Sequence, residues 1–392
     1  MRILHTVEFY HPSVGGMQEV VKQLSERLAR FGHEVTVATT RLAERADRVV
    51  NGVAIVEFDI TGNLVRGLQG DVDGYRRFLL ASEFDVVTNF AAQQWATDIA
   101  LPLLDDIRAA KVFVPTGFSG LYLPQFRDYF ASMKGWLHKY DMNVFLSEEY
   151  RDINFARECG VRNSMVIPNG ASEDEFLAEA ETDIRALLDI PADHFLVLHV
   201  GSHTGLKGHG ETIRIFARAR LSNATLLIAA NDISGGCAWA CSIKKGVFNA
   251  WPGRRKDGKR VLIAPLPRAE TIAAYKAADL FLFPSNIECS PLVLFESMAS
   301  RTPFLTTDVG NAEEIISWSG GGMLLPTRKD SRGYSRAKVT ESALLLGALH
   351  GDPSDRQRMA TRGFTAWQER FTWGKIARAY EDLYSRLVEG GR

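Results

Sequence analysis

The chain has 392 residues, 46% of them hydrophobic, with 46 Lys and Arg against 47 Asp and Glu. That length exceeds what a single hydrophobic core usually spans, so two domains are expected, and the balanced charge argues against a nucleic-acid partner, which calls for a basic surface. The opening Met1-Arg2-Ile3-Leu4-His5-Thr6-Val7 is too short an apolar run for a signal peptide, and no apolar segment is long enough to span a bilayer, so a cytoplasmic protein is expected.

In chain order, Ile3–Val7, Glu34–Thr39, Val53–Phe58, Asp85–Asn89, Lys111–Thr116, Asn143–Ser147 and Met165–Pro168 read as short strands, with helices or loops between most of them. After an acidic connector from Glu173 to Asp189, the alternation resumes with Phe195–Val200, Thr225–Ala230, Val261–Ala264, Leu280–Pro284, Pro303–Thr307 and Gly322–Pro326. This pattern predicts an α/β fold class, two Rossmann-like domains with mostly parallel sheets facing a central cleft. The boundaries expected are 1–174 and 175–372, with a closing helix in 373–392, Trp373 to Leu387, packing back on the first domain.

Within the first domain, the loop Glu8 to Val14 leads into Gly15-Gly16 and an amphipathic helix from about Met17 to Phe31. Adjacent glycines at a helix start let a ligand approach the backbone and leave amide hydrogens for an anionic oxygen, although such a pair is as often a plain turn. The loop is not a Walker sequence and lacks the three-glycine dinucleotide spacing, which disfavours ATP hydrolysis and nicotinamide chemistry. Further on, the aromatic-rich stretch Phe118 to Phe130 follows a strand; it could line an acceptor site, and core packing explains it equally well.

The second domain begins with a strand running into Gly201-Ser202-His203-Thr204-Gly205-Leu206-Lys207-Gly208-His209-Gly210. A lysine in a glycine-rich loop at a strand's carboxyl end can meet phosphate, against the alternative of a solvated surface charge. The insert from Asn231 to Arg260 carries Trp239, Trp251 and the basic run Arg254 to Arg260, for which solvated loop charge is preferred over contact with anionic lipid or a partner. Cys159, Cys237, Cys241 and Cys289 form no recognisable disulfide or zinc framework; Cys237 and Cys241 could share a helix face, but no further ligand stands near them in sequence.

The strongest signal is Glu288 and Glu296 around Cys-Ser-Pro-Leu-Val-Leu-Phe, directly after the strand Leu280–Pro284. Glu288 falls in the turn and Glu296 on the following helix, for which Ser290 is the expected cap and Pro291 the first residue. Open α/β sheets bind ligands at that place, beyond a strand's carboxyl end. Periodicity alone leaves Glu296 at the edge of the helix, where an ordinary solvent-facing acid is equally expected.

These motifs in this order resemble the retaining glycosyltransferases of the GT-B fold, specifically family 4 (glycosyl transferases group 1). The Glu-x7-Glu pair, the later Thr307-Asp308-Val309-Gly310-Asn311-Ala312-Glu313-Glu314-Ile315, the opening Gly15-Gly16-Met17-Gln18-Glu19 and Val166-Ile167-Pro168-Asn169-Gly170 are similar to that family's elements. The resemblance implies an acceptor-binding first domain, a donor-binding second domain, and transfer of sugar from a nucleotide sugar, a UDP- or GDP-sugar, with retention and without cofactor or metal. It implies donor contacts at Gly15, Gly16, Ser202, His203, Lys207, Glu288, Leu292 and Glu296, and chemistry at Glu288, Lys207 and Thr116. Ser202 stands where the family usually has an arginine, and Thr116 stands where many members have a histidine; His203 is a candidate to compensate for the first. The acceptor would be a glycan, a lipid-linked glycan or a small molecule, with peripheral contact at the inner face of a membrane left open, as is the oligomeric state. A GT-B sugar phosphorylase, a nucleotide-sugar epimerase and a catalytically silent binding or scaffold protein are the alternatives.

Overall fold

The computed structural model describes residues 1–81, 83–230, 236–250 and 257–390. By its internal contacts the chain forms two units, Met1–Asn169 with Trp373–Arg392, and Gly170–Thr372.

In the first unit, β1 (Arg2–Thr6), β2 (Glu34–Thr40), β3 (Val49–Val50) and β4 (Val53–Phe58) lead to a hairpin of β5 (Ile60–Asn63) and β6 (Gly67–Gly70). Then follow β7 (Val86–Phe90), β8 (Ala110–Val114), β9 (Met142–Phe145) and β10 (Ser164–Val166). Eight of these form one sheet, ordered β10-β9-β8-β7-β1-β2-β4-β3 and parallel except for the β3–β4 pair. The seven expected strands are all present with ends moved by a few residues; β3 and the β5–β6 hairpin are additional. The helix Gly16–Arg30 buries Val20, Val21, Leu24 and Leu28, one apolar stripe at helical spacing, and the chain leaves it through Gly32 at φ 94°, a left-handed position that suits glycine.

The helix Trp373–Gly390 belongs to this unit because Tyr384 reaches its interior. His5 Nδ1 is 2.8 Å from Ser25 Oγ, its Nε2 is 3.2 Å from the Tyr384 hydroxyl, and that hydroxyl is 2.7 Å from Thr88 Oγ1. Complete burial drives the His5 pKa down to about 3, so the imidazole is neutral and one ring nitrogen accepts.

The second unit contains β11 (Phe195–Val200), β12 (Ala224–Ala229), β13 (Lys259–Ala264), β14 (Leu280–Phe283), β15 (Phe304–Thr306) and β16 (Gly322–Leu324), ordered β13-β12-β11-β14-β15-β16 and parallel throughout. Successive residues of β11 go to opposite cores: Leu196 and Leu198 join one apolar cluster, Phe195 and Val197 the other. A sheet buried on both faces explains why its strands read as largely apolar runs, with no regular alternation of polar residues. A second hairpin, β17 (Thr327–Lys329) and β18 (Ser335–Ala337), was not legible in the pattern.

The acidic connector is a packed segment. Phe176 and Ile184 are buried, Asp183 caps a one-turn helix by accepting from the amides of Arg185 and Ala186, and Ala171 already pairs with Phe371 and Thr372 in the second unit. Of the insert, residues 231–235 and 251–256, with Trp251 and much of the basic run, lie outside the described residues, and Gly236–Ala250 is a helix. The end of the run is structural. Lys259 donates to the carbonyls of Phe216 and Ala219 at 2.7 and 2.8 Å, the carboxyl end of the helix His209–Arg218, and Arg260 donates to that of Leu188 at 3.0 Å.

Candidate functional site

In the second unit the glycine-rich loop after β11 and the loop after β14 are bound to each other. Asn286 N donates to Leu206 O at 2.8 Å. Gly208, at φ 75°, lies so close to Pro284 that a Cβ would stand 1.9 Å from its carbonyl oxygen. Only glycine satisfies both the left-handed backbone and that approach. The consequence is that Lys207 Nζ lies 2.7 Å from Glu288 Oε1, which also accepts from Ser285 Oγ at 2.7 Å. Glu288 is further enclosed by the loop after β15, where Gly310 packs against the Cys289 carbonyl and Asn311 N donates to it at 2.9 Å. The β17–β18 hairpin fixes the same loop from the other side, since Asn286 exchanges backbone and side-chain hydrogen bonds with Ser335 and accepts from Arg336 at 2.6 Å.

Eight residues on, Glu296 is buried on the helix Leu292–Ala299. Its Oε1 is 2.5 Å from Arg268 Nη1, while Arg268 Nη2 and Nε hold both oxygens of Glu175 at 2.7 and 3.1 Å. Burial works against the charge of Arg268, and Glu296 and Glu175 override it, holding the guanidinium firmly protonated. The solvent-facing reading of Glu296 is therefore corrected: a buried carboxylate has to be paired. The helix start is corrected too. Pro291 occupies the cap position and Leu292, half-buried, is the first helical residue, with no side-chain cap; proline's fixed φ suits the turn that precedes the helix.

Sequence reasoning missed Arg268, which follows Pro267 at a helix start, because no spacing links it to Glu296, 28 residues away. Ser202 is half-buried at the loop's opening, and His203 is buried with its ring stacked on His209 at 4.5 Å.

In the first unit, Gly15 is the extended residue that begins the helix Gly16–Arg30, with the Gln18 side chain folded over it. Thr116 lies beyond β8 in the left-handed region at φ 58°. Ala91, Gln93 and Phe118 share that conformation, a concentration of strained non-glycine backbone at the carboxyl ends of β7 and β8 that sequence reasoning did not find. The two loops are joined: Ala91 N donates to Val114 O and Ala92 N to Pro115 O at 2.8 and 3.1 Å, and Gln93 Oε1 accepts from Gly120 N at 3.0 Å. Beneath them, Asp98 accepts from Tyr129 OH at 2.8 Å and Leu64 N at 3.0 Å; burial raises its pKa to about 6 against those two bonds. Asp152, raised by burial to about 6, accepts from Gly117 N at 2.8 Å. Phe118, Phe126, Tyr129 and Phe130 are core residues. The adjoining Leu121 to Pro124 instead edge an open groove of about 430 Å³ that also includes Arg127 and Lys134.

The family description "Glycosyltransferase Family 4" matches residues 14–175, and "Glycosyl transferases group 1" matches residues 194–339. The chain is 25% identical to a D-inositol 3-phosphate glycosyltransferase of Xylanimonas cellulosilytica over 99% of this chain and 96% of the relative. Among solved structures it is similar to the sucrose-phosphate synthase of Thermosynechococcus elongatus, with TM-score 0.76, 19% identity and 99% of each chain covered. It is also similar to Anabaena HepE in complex with UDP and glucose, with TM-score 0.73, 16% identity, and 98% of this chain and 99% of that one covered. No helix among the described residues is long and apolar enough to cross a membrane. The joined glycine-rich and Glu-x7-Glu loops lie within the residues matched by the group 1 description, and the Gly15-Gly16 helix start and the Thr116 loop within those matched by the family 4 description; the chain belongs to the family 4, group 1 glycosyltransferases of the GT-B fold.

Proposed function

We propose that the protein transfers a sugar, with retention of anomeric configuration, from a nucleotide sugar to an acceptor hydroxyl. The observation that supports this reading is the pairing of each glutamate of Glu-x7-Glu with a cation, Lys207 for Glu288 and Arg268 for Glu296. Glu296 accepts from the ribose hydroxyls of the donor. Lys207 exchanges its carboxylate partner for the donor diphosphate, which frees Glu288 to hold the sugar's hydroxyls and support the cation-like ring. The family resemblance assigns the amides of Gly15-Gly16 to the phosphate and Thr116 to the reacting sugar.

Negative charge grows on the leaving phosphate as the glycosidic bond breaks, and a prepositioned ammonium stabilises that state more than the ground state. A fixed cation and amides supply this stabilisation in the transfer step without a metal. The burial of His203 leaves the side-chain charge on the phosphate to Lys207. The UDP in the Anabaena structure favours a UDP-sugar. The groove with Arg127 and Lys134 suits an acceptor carrying an anionic group, such as the inositol 3-phosphate named for the Xylanimonas relative.

A screen of nucleotide sugars against polyol phosphates, glycans and lipid-linked acceptors, with products assigned by NMR, tests the proposal. An α-linked product from an α-linked donor is expected. Phosphate-dependent cleavage would indicate a phosphorylase and an inverted sugar on the nucleotide an epimerase, while donor binding with no turnover across the library would indicate a silent binding protein.

A further inference from the structure

The helix Gly236–Ala250 carries Cys237 and Cys241 four residues apart, a spacing that places both thiols on one side of the helix. Packing brings His203 to them from the glycine-rich loop more than thirty residues earlier in the chain. A ring nitrogen of His203 and the two Sγ atoms all lie within 4.8 Å of one another. His203 and Cys241 are buried and Cys237 is half-buried. The His203 ring is stacked on that of His209 at 4.5 Å, and His209 is itself fixed by the 3.1 Å hydrogen bond from its Nε2 to the Gly201 carbonyl. Such anchoring of the imidazole is what orients a metal ligand.

Ligands about 2.0 to 2.3 Å from one tetrahedral ion stand about 3.3 to 3.8 Å apart, so side-chain adjustments on the order of an ångström bring these three atoms into register. Two thiolates and an imidazole are a soft to borderline donor set. That set selects zinc over magnesium, calcium or manganese, and three protein ligands leave a fourth position for water or another small ligand.

We infer that His203, Cys237 and Cys241 form a zinc-type metal site that ties the glycine-rich loop to the helix Gly236–Ala250. On binding, the two thiols lose their protons to bulk water and the neutral imidazole donates a lone pair, so a divalent ion and two thiolates leave the first shell without net charge. The metal stands outside the transfer chemistry proposed above. Its effect is positional, because Lys207 lies four residues beyond His203 in the same loop. The inference does not depend on the identity of donor or acceptor, and it is tested without an activity assay.

The full chain, purified under reducing conditions and stripped with a chelator, is titrated with Zn²⁺ against a chromophoric chelator and separately with Co²⁺. One equivalent is expected to bind, the cobalt form showing thiolate-to-metal charge-transfer absorption with the strong ligand-field bands of four-coordination, and zinc is expected to raise Tm. Cys237→Ser and Cys241→Ser should abolish the charge-transfer bands or weaken zinc binding at least a hundredfold, His203→Ala should weaken it at least tenfold, and Cys159→Ser should leave it unchanged. Circular dichroism of each variant verifies the fold; should His203→Ala not fold, the two cysteine variants decide. Stoichiometric binding that survives both cysteine changes, cobalt spectra without thiolate bands, or no binding at all would overturn the inference. A Cys237–Cys241 disulfide in the anaerobically purified protein, seen as two reactive thiols instead of four, would overturn it equally.

Discussion

Lys207 Nζ and Glu288 Oε1 stand 2.7 Å apart, on two loops that leave the neighbouring strands β11 and β14. The lysine is thus neither a solvated loop charge nor yet available to phosphate; it is a cation stored against the acid that the donor sugar is proposed to take. Replacing Lys207 with alanine removes the principal side-chain charge proposed for the diphosphate, since Ser202 occupies the position where the family usually has arginine. Donor-dependent kcat/KM should fall about a hundredfold or more, as expected for a lost transition-state contact of about 3 kcal/mol. Ser202→Ala should cost far less. Near-normal turnover of a folded Lys207→Ala enzyme in steady-state kinetics would remove Lys207 from the mechanism.

Glu296 and Arg268 should behave as a coupled pair. Glu296→Ala should raise the donor Kd about tenfold to a hundredfold, the scale of one or two hydrogen bonds to a charged group, and unchanged affinity in calorimetry would end the ribose assignment. Arg268→Ala leaves Glu296 buried without its counter-charge and should lower stability by about 1 to 3 kcal/mol, discounted because the guanidinium is partly exposed. In urea denaturation the double variant should be more stable than the sum of the single effects predicts. Additivity within about 0.5 kcal/mol would show that the pair is energetically independent.

Two glycines of the same loop separate backbone strain from contact. Gly205 at φ 80° has nothing within 4 Å of an added Cβ, whereas at Gly208 the Pro284 carbonyl stands 1.9 Å away. Gly205→Ala should therefore cost only the left-handed penalty of about 1 kcal/mol. Gly208→Ala should cost at least about 1 kcal/mol more and reduce donor affinity by pushing the Lys207 loop away from the loop after β14, and so out of the position proposed for the diphosphate contact. Equal thermal stabilities for the two variants would contradict the close packing of the loops.

The raised pKa of Asp98, about 6 against 3.8, sets a pH dependence with a definite sign. The folded state binds the proton more tightly than the unfolded state, so the stabilising contribution is complete below about 4 and is lost as pH rises through about 6. Asp98→Asn removes this titration, and whatever its hydrogen bonds to Tyr129 and Leu64 cost is nearly constant with pH. The variant should gain on the wild type by on the order of 2 to 3 kcal/mol between about pH 4 and pH 7. A difference that is flat with pH, or that changes in the opposite sense, would show that Asp98 ionises normally.

Much of the fold was written in local pattern. Short runs rich in apolar and β-branched residues marked all seven expected strands of the first unit and all six of the second, because a parallel sheet covered on both faces favours such residues on both sides of each strand. The β17–β18 hairpin was not legible, because β17, Thr-Arg-Lys, and β18, Ser-Arg-Ala, are polar, and β18 is tied to the distant Asn286 by the hydrogen bonds of Ser335 and Arg336. Glu288 and Lys207 could be singled out because both lie in loops that follow strands, where chain order alone predicts a ligand-facing place.

By itself, then, the sequence determined the α/β alternation, the position of the glycine-rich loop and the Glu-x7-Glu spacing, all features carried by neighbours along the chain. Only the tertiary structure decided that Glu296 is buried against Arg268, that His203 meets Cys237 and Cys241, and that Tyr384 reaches His5. Each of these contacts joins residues 28 or more positions apart. The energy of such a contact depends on burial and on which partner supplies the opposing charge or lone pair, and neither quantity is a property of local sequence.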